Sequence, residues 1–124
     1  MRVDYSHKNV DLSLLATYTE AFFKNKGYIT EKLESENRIT IIVKRNEISG
    51  PICAVRIEGT SNNFTIDFIW EESVRKRIIL GSLTTLFGGG ILILRGLQLK
   101  EELEKLERDF WVYIQELIAT FEKR

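Results

Sequence analysis

The sequence predicts an α+β fold: an N-terminal helix packed on a four- or possibly five-stranded antiparallel meander, then an apolar helix or helical hairpin, then a long amphipathic C-terminal helix. Three observations lead there. Apolar side chains recur at helical spacing between Asp11 and Lys26, the period falls to two between Tyr28 and Glu71, and past Trp70 the alternation stops in favour of an uncharged run and a helical seam.

The first helix is marked by Leu12, Leu15, Ala16, Thr19, Phe22 and Phe23, which fall on one face of a 3.6-residue spiral. Asp11 is suited to cap its free amides, Lys24 and Lys26 to sit in its last turn, and Gly27 to take the left-handed conformation that closes a helix. In the strand region, Ile39, Ile41 and Val43 alternate with Thr40, Ile42 and Lys44. Cys53, Val55 and Ile57 alternate with Ala54, Arg56 and Glu58, and Phe64, Ile66, Phe68 and Trp70 with Thr65, Asp67, Ile69 and Glu71. Ile29 and Leu33 suggest a weaker strand before these, and Met1 to Tyr5 a fifth. Breaks at Ser35 to Asn37, Asn46 to Pro51 and Gly59 to Asn63 are short enough for hairpins. One face of such a sheet must be covered, and the Leu12 to Phe23 helix is available to do it. The organisation expected is a helix-plus-sheet domain over residues 1–72, followed by residues 73–124 carrying the apolar segment and the amphipathic helix.

That last helix is read from Leu99, Leu103, Leu106, Phe110, Tyr113 and Leu117, which step by four, three, four, three and four as in a coiled-coil seam. Trp111, Ile114, Ile118 and Phe121 widen the apolar face, implying burial against more than one neighbour. Glu101 with Lys105 and Glu104 with Arg108 are pairs four apart, each worth a few tenths of a kcal/mol.

Between the sheet and this helix, Ile78 to Leu94 is uncharged throughout, with Arg75, Lys76 and Arg77 before it and Arg95 after it. Ile78, Ile79, Leu83, Leu86, Phe87, Ile91, Leu92 and Leu94 are its candidate anchors to a membrane or an interface. As one helix the run rises about 25 Å, a marginal transmembrane span against a hydrocarbon core of about 30 Å. Gly88, Gly89 and Gly90 cost about 1 kcal/mol each inside a helix and favour two short arms dipping into one leaflet, with every cation on one side. In water, the same hairpin is a core or dimer element enclosed between the sheet and the last helix. All three readings stand on the sequence.

Composition narrows the function classes. In 124 residues, 44% hydrophobic and 29% charged, eighteen basic residues balance eighteen acidic ones. With no net positive field, nucleic acid is not an expected partner. The single cysteine, Cys53, forms no intramolecular disulfide, and the N-terminus lacks the apolar run of a secretory signal, so an intracellular setting is expected. With His7 the only histidine, no zinc site of Cys and His ligands can be built in one chain, and no metal or other cofactor is expected. Cys53 sits on the apolar side of a strand as a packing residue, and His7 lies in a loop. Asp67, with Arg56 and Glu58 on the preceding strand, reads as cross-strand surface charge rather than a catalytic pair. Gly88 to Gly90 lack the following Lys-Ser/Thr of a phosphate loop. Ile42 and Ile69, on the polar side of their strands, form an apolar patch if those strands are neighbours.

The expected function is a non-enzymatic, membrane-associated adaptor or assembly module, a homo-oligomer paired through its C-terminal helices, with membrane lipid or a protein as further partner. The alternative is a soluble cytoplasmic homodimer that binds a small ligand or a protein and buries residues 78–94.

Overall fold

A computed structural model describes residues 1–6, 8–48, 50–70 and 89–122, with residues 89–99 and Glu122 given by their backbone alone. Along the chain run β1 (Arg2–Ser6), α1 (Leu12–Asn25), β2 (Ile29–Ser35), β3 (Arg38–Lys44), β4 (Pro51–Gly59), β5 (Asn63–Trp70) and α2 (Gly89–Glu122). The fold is α+β, with one open antiparallel sheet of five strands in the order β1-β5-β4-β3-β2.

Local chemistry sets most of the elements. The Asp11 carboxylate accepts from the Ser13 and Leu14 amides at 3.0 and 3.2 Å and so starts α1. Gly27, at φ +93°, ends the turn after it. Asn37 holds a left-handed φ of +62° in the β2–β3 turn, a conformation asparagine tolerates better than most residues. At Gly59 a Cβ would run into the Asn63 carbonyl oxygen, so the β4–β5 hairpin requires glycine there. Consecutive strands β2 to β5 form the expected meander. The fifth strand, β1, pairs with β5 from Arg2↔Asp67 to Ser6↔Asn63, at the edge opposite β2. α1 therefore connects the two edges of the sheet.

The covering of the sheet differs from the expectation of a single N-terminal helix. α1 lies over β2 and β3, while α2 lies over β4 and touches α1. The two helices run antiparallel, because Lys26 meets Asp109 at 2.9 Å, Phe22 meets Tyr113 and Tyr18 meets Phe121. Phe110 is fully buried where they converge, against Phe22, Phe23, Phe68 and Trp111. Leu103, Leu106, Ile114 and Ile118 join the same core as Leu15, Ile41, Val55 and Ile66. From Leu103 to Ile118 the C-terminal helix thus shares one core with α1 and the sheet. Thr19, the buried polar residue of α1, satisfies its hydroxyl by donating to the Leu15 carbonyl at 2.8 Å.

One irregularity feeds the core. Val43 pairs with Cys53 and Lys44 with Pro51, which leaves Ile52 as the extra residue of a β-bulge. Simple alternation would aim Ile52 with Ala54 at the other face, yet it is buried in the core cluster.

Among the described residues no helix packs on that other face. Ile42, Ala54 and Ile69 lie in one row across it, since Ala54 pairs with Ile42 on one side and Ile69 on the other. β3 and β5 are not neighbours, but the apolar patch exists because Ala54 bridges them. In the next row Arg56 lies opposite Asp67, and Asp67 opposite Arg2. Further along, Arg38 contacts Glu58 at 2.5 Å. These are cross-strand charge pairs of an ordinary sheet surface.

Candidate functional site

The strand register brings the starts of β1, β2 and β4 and the ends of β3 and β5 to one end of the sheet, through Ile29↔Lys44, Lys44↔Pro51, Cys53↔Trp70 and the bond from the Phe68 amide to the Met1 carbonyl. The chain leaves β5 at this end, at Trp70, and α2 crosses it on the way back over the sheet. Two carboxylates of α2, Glu102 and Glu107, mark the crossing.

Their placement follows from helix geometry. Five residues correspond to about 140° around a helix, and Leu106 and Leu103 fall between the two carboxylates on that arc. The acids therefore border the apolar stripe and stand at the rim of the core. Glu102 accepts from the Tyr28 hydroxyl at 2.8 Å and from Arg45 Nε at 3.1 Å, while its other oxygen takes a second guanidinium nitrogen. That two-pronged contact fixes orientation as well as charge. Glu107, with 14% of its side chain exposed, accepts from Trp70 Nε1 at 2.6 Å and Trp111 Nε1 at 3.1 Å, and the amino group of Met1 lies 3.2 Å away. Every element that ends here except β4 is thereby tied to α2 by a polar contact.

Cys53 lies beneath this rim and is fully buried. Burial pushes its thiol well above the ordinary value of 9.0, and the negative charges of Glu102 and Glu107 add to the effect. A thiol so held is a packing residue rather than a nucleophile. Burial also raises the Tyr28 hydroxyl above 10.0, assisted by its hydrogen bond to Glu102. Among the described residues no group of three or more His, Cys, Asp or Glu is placed to hold a metal ion. A cleft of about 770 Å³ lies at the opposite end of the sheet, lined by Asp4, Tyr5, Arg38, Glu58, Phe64 and Thr65 among others. Its polar side chains are turned to one another: Thr65 donates to Asp4 at 2.7 Å, and Arg38 pairs with Glu58.

Of the residues singled out on the sequence, Leu103, Leu106 and Phe110 are buried and Tyr113 and Leu117 partly buried, all against the chain's own α1 and sheet. From Leu103 to Leu117 the seam packs within one chain. Ile91, Leu92, Leu94, Arg95 and Leu99 lie on the first turns of α2, where the backbone alone is described. Arg75, Lys76, Arg77, Ile78, Ile79, Leu83, Leu86 and Phe87 lie outside the described residues, as does His7. Among the described residues no helix is long and apolar enough to cross a membrane. The roles of Glu102, Glu107, Tyr28, Arg45 and Trp70 escape a reading by sequence spacing, because their partners are 37 to 74 residues apart in the chain. The one available signal is the position of the two acids at the borders of an apolar stripe.

No protein-family model matches the chain, and no curated protein or solved structure matches it significantly.

Proposed function

We propose that this chain is a non-enzymatic, intracellular, membrane-associated adaptor or assembly module, attached to lipid through residues 78–94 and self-associating through its C-terminal helices. The observation that carries the reading is a mismatch of lengths. α2 has 34 residues, about 51 Å, whereas the longest strand, of nine residues, is about 30 Å. Among the described side chains of α2, those that bind it to the sheet and to α1 run from Glu102 and Leu103 to Phe121. The helix before Glu102 is about 20 Å long, and its first eleven residues, GGILILRGLQL, carry one charge. Such a surface, continuous with the uncharged run before it, calls for shelter outside the monomer. Attachment by a dipping or surface-lying segment satisfies this without a span.

A second reading rests on the uncovered sheet face. The Ile42–Ala54–Ile69 row, with Leu33 half-exposed nearby on β2, suits a soluble homodimer that closes sheet against sheet and binds a small ligand or protein. Flotation of the full chain with phosphatidylcholine–phosphatidylserine vesicles separates the two. The membrane reading expects the chain to rise with the vesicles, and Leu83→Arg to stay behind with its circular dichroism spectrum preserved. A wild-type chain that remains below as a folded dimer supports the second reading and removes the first.

A further inference from the structure

We infer that the outer edge of β2 is a self-pairing surface: two copies of this chain join β2 to β2, antiparallel, with Leu33 opposite the partner's Leu33. The inference is independent of how residues 78–94 are sheltered. β2 is one of the two edge strands of the sheet, and the turn after it fixes which of its backbone groups are free. Ser35 pairs with Arg38 across the two-residue turn of Glu36 and Asn37, so Ile29, Glu31, Leu33 and Ser35 bond to β3, and the amides and carbonyls of Thr30, Lys32 and Glu34 point outward. The bond from the Gly59 amide to the Asn37 carbonyl at 2.9 Å agrees, since it turns the odd-numbered residues of β3 toward β4. Among the described residues no strand lies beyond this edge. An open edge is a template for a further strand, and proteins commonly block it with a proline, a bulge or short length. β2 has seven residues, no proline and an unbroken register with β3. Lys32, the residue best placed to block it, has its charge met by Glu20 at 3.8 Å and Glu34 at 3.5 Å.

Charge chooses the occupant and the register. A two-fold axis normal to the sheet sets one residue of β2 opposite its own copy, and only centres at Glu31, Lys32 or Leu33 overlap most of the strand. A centre at Glu31 opposes two carboxylates and one at Lys32 opposes two ammonium groups, both unfavourable. The centre at Leu33 sets Lys32 opposite the partner's Glu34 on each side of the axis, and Glu31 opposite the partner's Ser35. It also brings the half-exposed Leu33 against its own copy, at a non-hydrogen-bonded pair where side chains approach most closely. The strand is thus self-complementary in backbone, charge and apolar surface at a single register. The two sheets become one, with α1 and α2 of both copies on the same side and the Ile42–Ala54–Ile69 rows on a shared open face. A contact of this length is small, and an affinity on the order of micromolar is expected.

Cysteine cross-linking of the full chain reads the register, because Cys53 is buried and a cysteine placed at the surface is the one that oxidises. In the pairing, the Cα atoms at position 33 lie about 4.5 Å apart, within disulfide reach, whereas those at position 31 lie about 14 Å apart. Leu33→Cys is therefore expected to form a covalent dimer under mild oxidation at least about tenfold faster than Glu31→Cys. Lys32→Glu and Glu34→Lys, each of which sets like charges across the axis, are expected to weaken dimerisation roughly tenfold in sedimentation equilibrium. An equimolar mixture of the two variants should recover it, since every opposed pair is then of opposite charge, and recovery also shows that both are folded. Equal cross-linking at positions 31 and 33 would overturn the inference. So would a mixture no more associated than its components, when both keep the wild-type circular dichroism spectrum. Self-association would then fall to the C-terminal helices alone, and the membrane reading is decided separately by flotation.

Discussion

The two halves of α2 are one continuous helix with opposite sequence patterns. From Leu103 to Phe121 it carries an apolar arc bordered by charge, and the arc fits the groove between α1 and the sheet. From Gly89 to Leu99 the sequence is apolar nearly all the way round, on the same continuous helix. The first pattern is what a helix needs in order to bury one side and wet the other. The second has no wet side. On the proposed reading, a single helix serves as a core element at one end and as an attachment at the other, with Glu102 and Glu107 marking the changeover.

Paired substitutions in the two halves sharpen this contrast most. Phe110→Ala removes the side chain on which Phe22, Phe23, Phe68 and Trp111 converge, and is expected to cost about 3–5 kcal/mol in urea unfolding. Leu94→Ala, on the projecting half, is expected to change unfolding by less than about 0.5 kcal/mol. Comparable losses at both positions would mean that the two halves are not distinct.

Next in size is the changeover itself. Glu107→Gln leaves a carbonyl for one indole N–H and turns an amide donor toward the other, so about 1–3 kcal/mol should be lost. Trp70 and Trp111 fluorescence reports the rearrangement directly. An unchanged emission maximum together with unchanged stability would show that Glu107 does not hold the helix to the end of β5.

A smaller loss than at Glu107 is expected from Tyr28→Phe, about 1 kcal/mol near neutrality from the lost bond to Glu102. It carries a pH signature as well. The folded hydroxyl is raised above 10.0 by burial and by Glu102. Its stabilisation is thus complete below pH 10, where folded and unfolded chains both keep the proton, and is lost as pH rises through the folded value. The alkaline fall in stability should be shallower in Tyr28→Phe than in the wild type; equal slopes would place the titration elsewhere.

How much of this was legible depended on the range of each interaction. α1, its Asp11 cap and its Gly27 stop are written within a few residues, as are the alternating runs of β3, β4 and β5 and the breaks between them. The pairing of β1 beside β5 joins residues more than sixty apart, from Arg2↔Asp67 to Ser6↔Asn63, and no local pattern encodes it. The heptad-like seam of Leu103, Leu106 and Phe110 announced that α2 needs a partner, but periodicity does not distinguish a second chain from the chain's own α1 and sheet. Ile52 defied alternation because a bulge rotates it inward. The rim contacts of Glu102 and Glu107 required the register of all five strands before they could be seen.

Hydrogen exchange along α2, with and without phosphatidylcholine–phosphatidylserine vesicles, tests the division of the helix most directly. Amides from Leu103 to Ile118 should be strongly protected in both conditions, and those from Ile91 to Leu99 only when vesicles are present. Full protection of Ile91 to Leu99 in their absence, or none in their presence, would contradict it.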